Sequence, residues 1–157
     1  MKFIILIMLS MNIFAFARPI AKDKPGSGIM KTTGPKFFFK KVTYLSNYDG
    51  DTIRVNIKAA PPLHPIIGHN IPIRVRGIDT PEMRGKKPCE KVKANEAAEF
   101  VRKLMVNADK IELLNAQRGT FFRIIADVKI NGVDLGETLL EKNLAVPYGQ
   151  RPVSWCF

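Results

Sequence analysis

The sequence predicts an α+β domain that is mainly β: a small five-stranded barrel carrying two or so α-helices. Three observations predict it. Segments alternating apolar and polar side chains come as a group of three, then a helical period, then two more, then a second helical period. The regular strand–helix alternation of a parallel sheet is absent. The 157 residues, 46% hydrophobic and 25% charged, suit one domain with one core and exclude a disordered, collagen-like or multi-pass membrane chain.

The elements follow in order. Lys2, the apolar run Phe3 to Phe14 and the small-x-small triplet Ala15-Phe16-Ala17 have the layout of a secretory signal peptide, residues 1–17. The run is shorter than the ~20 residues that span a bilayer, so an uncleaved anchor is the weaker reading. No stable membrane insertion is expected after cleavage. Residues 18–36 are rich in Pro, Gly and Lys without apolar period and read as a flexible basic leader to a domain at 37–157. FFFKKVTYLS opens the domain as a first strand. Ile53, Val55 and Ile57 share one face of a second, and Ile71, Ile73 and Val75 one face of a third, with Pro72 marking an edge or bulge. Between them, residues 59–70 hold three Pro, one Gly and two His and read as a loop. Ala94, Ala97, Ala98, Val101, Leu104, Met105 and Ala108 form the stripe of a helix over about 90–107. Strands at 110–114 and 123–130 follow, with Ile124, Ala126, Val128 and Ile130 inward. Asn131-Gly132 is a turn, and 133–142 a second helix. Oligonucleotide-binding (OB) barrels have this order.

Charge narrows the partner. There are 25 Lys+Arg against 14 Asp+Glu, a net +11. Such a surplus suits a polyanion, whether nucleic acid, anionic membrane surface or acidic wall polymer; a generally basic proteome is the bland alternative. An exported chain with two cysteines points to one structural disulfide, Cys89–Cys156, rather than a metal or redox pair, since no CxxC is present. Two free buried thiols remain the reading if the leader is not a signal.

Three patches carry chemistry. Asp49-Gly50-Asp51-Thr52 precedes the second strand, and alone would be a turn. Arg74 to Glu82 places a cation, Asp79, Thr80 and Glu82 where a strand enters a Pro-fixed turn. Arg123 begins the last long strand with the outward parity of Arg74. Together they hold the parts for metal-assisted phosphodiester hydrolysis. Asp51, Asp79 and the Thr80 carbonyl offer the oxygen ligands that hard cations take. A carboxylate can orient or deprotonate an attacking water, and arginine forks match phosphate oxygens.

The Asp49-Gly-Asp-Thr-Ile-Arg-Val run, followed by Arg74 and by Ile78-Asp79-x-Pro81-Glu82, resembles the staphylococcal nuclease (thermonuclease) family, from about Val42 to Tyr148. The resemblance implies a five-stranded OB-fold barrel that hydrolyses DNA and RNA with calcium (Ca2+) and leaves 3′-phosphate ends. It implies Asp51, Asp79 and the Thr80 carbonyl as metal ligands, with Asp49 as an outer carboxylate. Arg74, Glu82 and Arg123 match the catalytic residues, and Tyr148 falls near the nucleotide site. Arg118, in a Gln-Arg-Gly stretch, is the rival to Arg123 and a peripheral phosphate contact otherwise.

Three departures accompany it. Eighteen residues separate Val55 from Arg74, a longer connection than usual. Gly119-Thr-Phe-Phe122 stands before Arg123 where the family has Asp, Tyr and Gly. The sequence ends at Phe157, so the family's third helix is expected to be absent. His64 and His69 read as solvent-facing rather than as a second metal site. Phe37, Phe38, Phe39 and Trp155 suit core packing or tail anchoring more than base stacking. The expectation is a monomeric, secreted or periplasmic, calcium-dependent nuclease of low sequence preference. Its rivals are a catalytically inactive nuclease-like barrel that binds nucleic acid or protein, and a basic surface adhesin, which would explain the charge but not the acidic cluster.

Overall fold

The structure, a computed structural model, describes residues 33–57, 68–121, 123–150 and 155–156. The expected signal peptide, most of the leader, most of the 59–70 loop with His64, and Phe122 lie outside them.

The strands are β1 (Thr33–Phe39), β2 (Val42–Asn47), β3 (Thr52–Ile57), β4 (Gly68–Val75), β5 (Ile78–Asp79), β6 (Ile111–Arg118), β7 (Ile124–Ile130), β8 (Val133–Asp134) and β9 (Val146–Pro147). The helices are α1 (Pro88–Val106) and α2 (Leu135–Glu141). The main sheet has the order β1-β6-β7-β4-β3-β2, with β8 beside β7, and β5 pairs with β9 separately.

This is a mainly β, OB-like α+β fold. Among the described residues the hydrogen-bonded ladder does not close into a ring. Its two edges, β1 and β2, are instead consecutive in the chain and separated only by Lys40-Lys41. The FFFKKVTYLS segment is therefore a bent pair, one half on β6 and the other on β3. The bend explains the blurred alternation: Phe39 enters the core, Phe37 packs against it and Phe38 is exposed. β1 also starts at Thr33, four residues inside the expected leader, because Thr33 pairs with Arg118 and Gln117 Nε2 donates to the Gly34 carbonyl at 3.0 Å. β4 and β7 run parallel, a pairing that no alternation in the sequence marked.

The core joins Ile53, Val55, Ile57, Ile73 and Val75 to Leu113, Ala126 and Val128, and α1 covers it with Ala97, Val101 and Met105. Pro88 takes the first turn of α1, where its missing N–H costs no intrahelical bond. Asn131 and Gly132, both at positive φ, close the β7–β8 hairpin. The Asp134 side chain accepts from the Glu137 amide at 3.1 Å and starts α2. β6 bulges at Asn115, at φ 50°, where the ladder shifts register between Leu114 and Gln117. Arg76 braces the bulge, donating to the Asn115 carbonyl at 2.6 Å and pairing with Asp127 at 2.9 Å.

Cys89, in the first turn of α1, is disulfide-bonded to Cys156, with Cα atoms 5.4 Å apart. The bond ties the C-terminal segment to the helix that covers the core. Closing 67 residues is worth about 4 kcal/mol in the chain-entropy treatment. Oxidised protein should show no free thiol when denatured, and reduction, or Cys89→Ser with Cys156→Ser, should lower unfolding free energy by about that amount in a urea titration. Unchanged stability on reduction would contradict this role for the bond.

Candidate active site

Arg74 occupies an interior position in the sheet. It pairs with Thr52 on antiparallel β3 and with Ile125 on parallel β7. Its guanidinium forms ion pairs with both Asp51 and Asp79. Burial pulls the Arg74 pKa below its ordinary value; the charges of Asp79 and Asp49 oppose this and that of Arg123 adds to it. An arginine still keeps its proton, so the buried charge requires the carboxylates around it.

Each carboxylate is held in turn. Asp51 is buried, and its Oδ2 accepts from the Thr80 amide at 2.9 Å and the Thr80 hydroxyl at 3.0 Å. Its carbonyl accepts from the Val75 amide at 2.8 Å, fixing the turn to the end of β4. Asp49 Oδ1 accepts from the Thr52 amide at 2.8 Å and the Asp51 amide at 3.2 Å, shaping the Asp-Gly-Asp turn. Burial raises the Asp49 pKa, outweighing the Thr52 hydrogen bond and the charge of Arg74. Asp79 Oδ2 accepts from the Gly149 amide at 3.1 Å, and the Tyr148 amide donates to the Gly77 carbonyl at 2.9 Å. The C-terminal segment is thereby sewn to β5.

These segments enclose a polar cleft of about 260 Å³. Asp49, Asp51, Arg74, Glu82, Arg123 and Tyr148, all singled out from the sequence, line it. Asp79 and Thr80 stand behind it, bonded to Arg74 and Asp51 respectively. Glu82 is among the lining residues and Asp79 is not; buried Pro81 stands in the chain between them. Arg118 is exposed at the end of β6, paired with Ile124, and is not among the cleft residues. Arg123 is not the first residue of β7 but the last of the turn before it. Its amide donates to the Thr120 carbonyl at 3.3 Å and its carbonyl accepts from Gly119 at 2.9 Å. Thr52, Thr120 and Ile125 also line the cleft. Sequence parity missed Ile125, since it lies opposite the core-facing residues of β7 and is buried nonetheless.

Asp51 and Asp79 already converge on one cation, the Arg74 guanidinium, so the pair fits a hard cation's oxygen ligands. Among the described residues, no cluster of three or more His, Cys, Asp or Glu gathers as a self-sufficient metal centre. Any cation here would draw on backbone carbonyl and water for the rest of its shell. His69 lies exposed on β4, away from the cleft residues. No described helix is long and apolar enough to cross a membrane.

Fold and cleft define an OB-like α+β protein with carboxylates and two arginines gathered in one cleft. Residues 72–154, more than half of the chain, match the family model described as staphylococcal nuclease homologue, and the protein belongs to that family. It is a nuclease-like protein of a nucleic-acid-binding family.

Two predictions follow from this geometry. A Cβ on Gly50 would lie 2.9 Å from both the Ala97 Cβ and the Thr80 Cγ2, neither of which can swing aside. Gly50→Ala should cost about 1–3 kcal/mol in denaturant unfolding, the usual range for overpacking; an unchanged midpoint would mean the turn shifts freely. The second concerns pH. A raised folded-state pKa at Asp49 gives stability that is present below the unfolded value and lost as pH rises through the folded one. Asp49→Asn keeps the oxygen acceptor without the charge. It should therefore raise the melting temperature at pH 7 and leave it unchanged near pH 3. An equal gain at both pH values would assign the effect to packing.

Proposed function

We propose that the protein is an exported, calcium-dependent nuclease that hydrolyses phosphodiester bonds of DNA and RNA with little sequence preference. Export rests on the signal-peptide layout of residues 1–17 and on the Cys89–Cys156 bond, which suits a secreted or periplasmic protein. The residues from 18 up to the start of β1 are proposed as the leader and those from Thr33 on as the catalytic domain, acting as a monomer.

One observation carries the reading. Asp51, Arg74 with Glu82, and Arg123 come from three separate segments and line one polar cleft, with Asp51 paired to Arg74. Arg74 and Arg123 are the groups that grip the scissile phosphate and offset the charge that builds on its oxygens during displacement. Glu82, exposed at the cleft edge, orients the attacking water and accepts its proton as the P–O bond to the leaving 5′ oxygen breaks. Asp51, Asp79 and the Thr80 carbonyl are the ligands assigned to calcium. When bound, that ion polarises a phosphoryl oxygen and neutralises its charge. Tyr148, which lines the same cleft, is proposed to contact the nucleotide, and Arg118 to serve at most as a peripheral phosphate contact.

An inactive binding barrel would have no need to keep both arginines and Glu82 in one cleft. The assay is hydrolysis of single-stranded DNA and RNA by the mature protein with calcium and with excess chelator. Activity should vanish with chelator and return with calcium. Arg123→Ala should lower turnover by about 10³-fold or more, as loss of a transition-state arginine does, with the fold unchanged. Full activity in chelator would remove the metal assignment, and binding without hydrolysis would select the inactive barrel.

A further inference from the structure

A second depression, of about 430 Å³, runs beside the cleft. It shares Asp49, Thr52 and Arg123 with the cleft and adds Tyr48, Arg54 and Phe121. Both hollows are lined by Arg123, with Tyr148 in one and the two other aromatic residues in the second.

Phe121 is 83% exposed and Tyr48 54% exposed. Phe121 also has φ 58°, in the left-handed region that a bulky side chain rarely occupies. A large apolar ring that is both strained and turned to solvent does nothing for the core. Strain of this kind accumulates where a side chain must be presented. The Arg123 Cζ lies 5.9 Å from the Phe121 ring centroid, so the ring also stands over the proposed phosphate-gripping arginine. Arg54 is anchored through Nη1, which donates to the Asn70 carbonyl and Oδ1, both at 3.2 Å. Its Nε and Nη2 have no partner among the described residues.

We infer that Tyr48 and Phe121 form a stacking platform for one nucleobase of a single-stranded nucleic acid, with Arg54 meeting the phosphate on its far side. The inference rests on the nuclease reading and adds a second base site to it. A phosphate held at Arg74 and Arg123 has a nucleotide on each side. One falls toward Tyr148 and the other toward the Tyr48–Phe121 hollow. Aromatic faces accept any base, and Arg54 and Arg123 supply the positive charge that a polyanion needs along its path. Paired bases in a duplex offer no free face, so the platform favours single strands.

A double-mutant cycle between protein and ligand tests it. The probes are a single-stranded trinucleotide and two versions with an abasic sugar in place of the first or the third base. Binding is measured without calcium, so that no turnover intervenes. Tyr48→Ala with Phe121→Ala should weaken the intact trinucleotide about ten-fold, a modest value for loss of base stacking. Against one of the two abasic ligands the same double variant should cost nothing further. Phe121→Gly should lose affinity while its melting temperature stays equal or rises, since glycine tolerates the positive φ. Equal weakening of intact and abasic ligands would overturn the platform, as would self-association of the wild-type chain that the variants abolish. Wild-type protein that neither binds the trinucleotide nor hydrolyses single-stranded DNA when calcium is added would instead overturn the nuclease reading beneath it.

Discussion

A guanidinium placed inside a β-sheet must be paired or the sheet does not form around it, and Arg74 is placed there by its register between β3 and β7. Much of the local structure answers that requirement. Asp51 and Asp79 neutralise the charge, and each then needs partners for its remaining oxygen. Thr80 supplies them for Asp51, which fixes the turn into Pro81; Gly149 supplies one for Asp79, which brings in the C-terminal segment. Buried ion pairs often contribute little net stability, because desolvation offsets the attraction. Their effect here is positional: the Asp51 turn, the run from Arg74 to Pro81 and the C-terminal segment at Gly149 are aligned on one guanidinium.

That dependence also explains what the sequence could reveal. The Asp-Gly-Asp turn and the run from Arg74 to Glu82 are local, so their residue types and spacings can be read directly. The inward sets of β3 and β7 follow from alternation, and the α1 stripe from its helical period. Other features depend on contacts between distant segments. The Gly149 amide on Asp79 has no signature, since any residue but proline can donate it. The bend at Lys40-Lys41 appears only when β6 and β3 compete for consecutive pieces of one strand. Asn115 gives a bulge only because Arg76 and Asp127 are there to brace it. Ile125 breaks the parity rule because the cleft wall covers a face that alternation assigns to solvent.

The two arginines of the cleft are held in different ways. Arg74 sits mid-ladder with its charge met by two carboxylates, so its fork has little freedom. Arg123 stands at the end of a hairpin turn, secured by its backbone and by the Phe121 ring rather than by an ion pair among the described residues. On the proposed nuclease reading, entropy lost on gripping a phosphate is therefore smaller for Arg74, whereas Arg123 retains the reach to follow charge as it moves between oxygens.

The same contrast divides chemistry from recognition across the site. Of the groups proposed to face the reacting phosphate, Arg74 is held by ladder bonds on both sides, so small displacements of it are resisted. Tyr48 and Phe121 project from turns with their rings in solvent. Stacking on a base tolerates a displacement that in-line attack would not, since a π-face is broad and a displacement angle is narrow. On the proposed nuclease reading, a cleft with one rigid arginine and exposed turns around it can thus hold a single phosphate in fixed geometry while accepting any base beside it. The proposed low sequence preference would then follow from where each residue is anchored, without any group that reads a base edge.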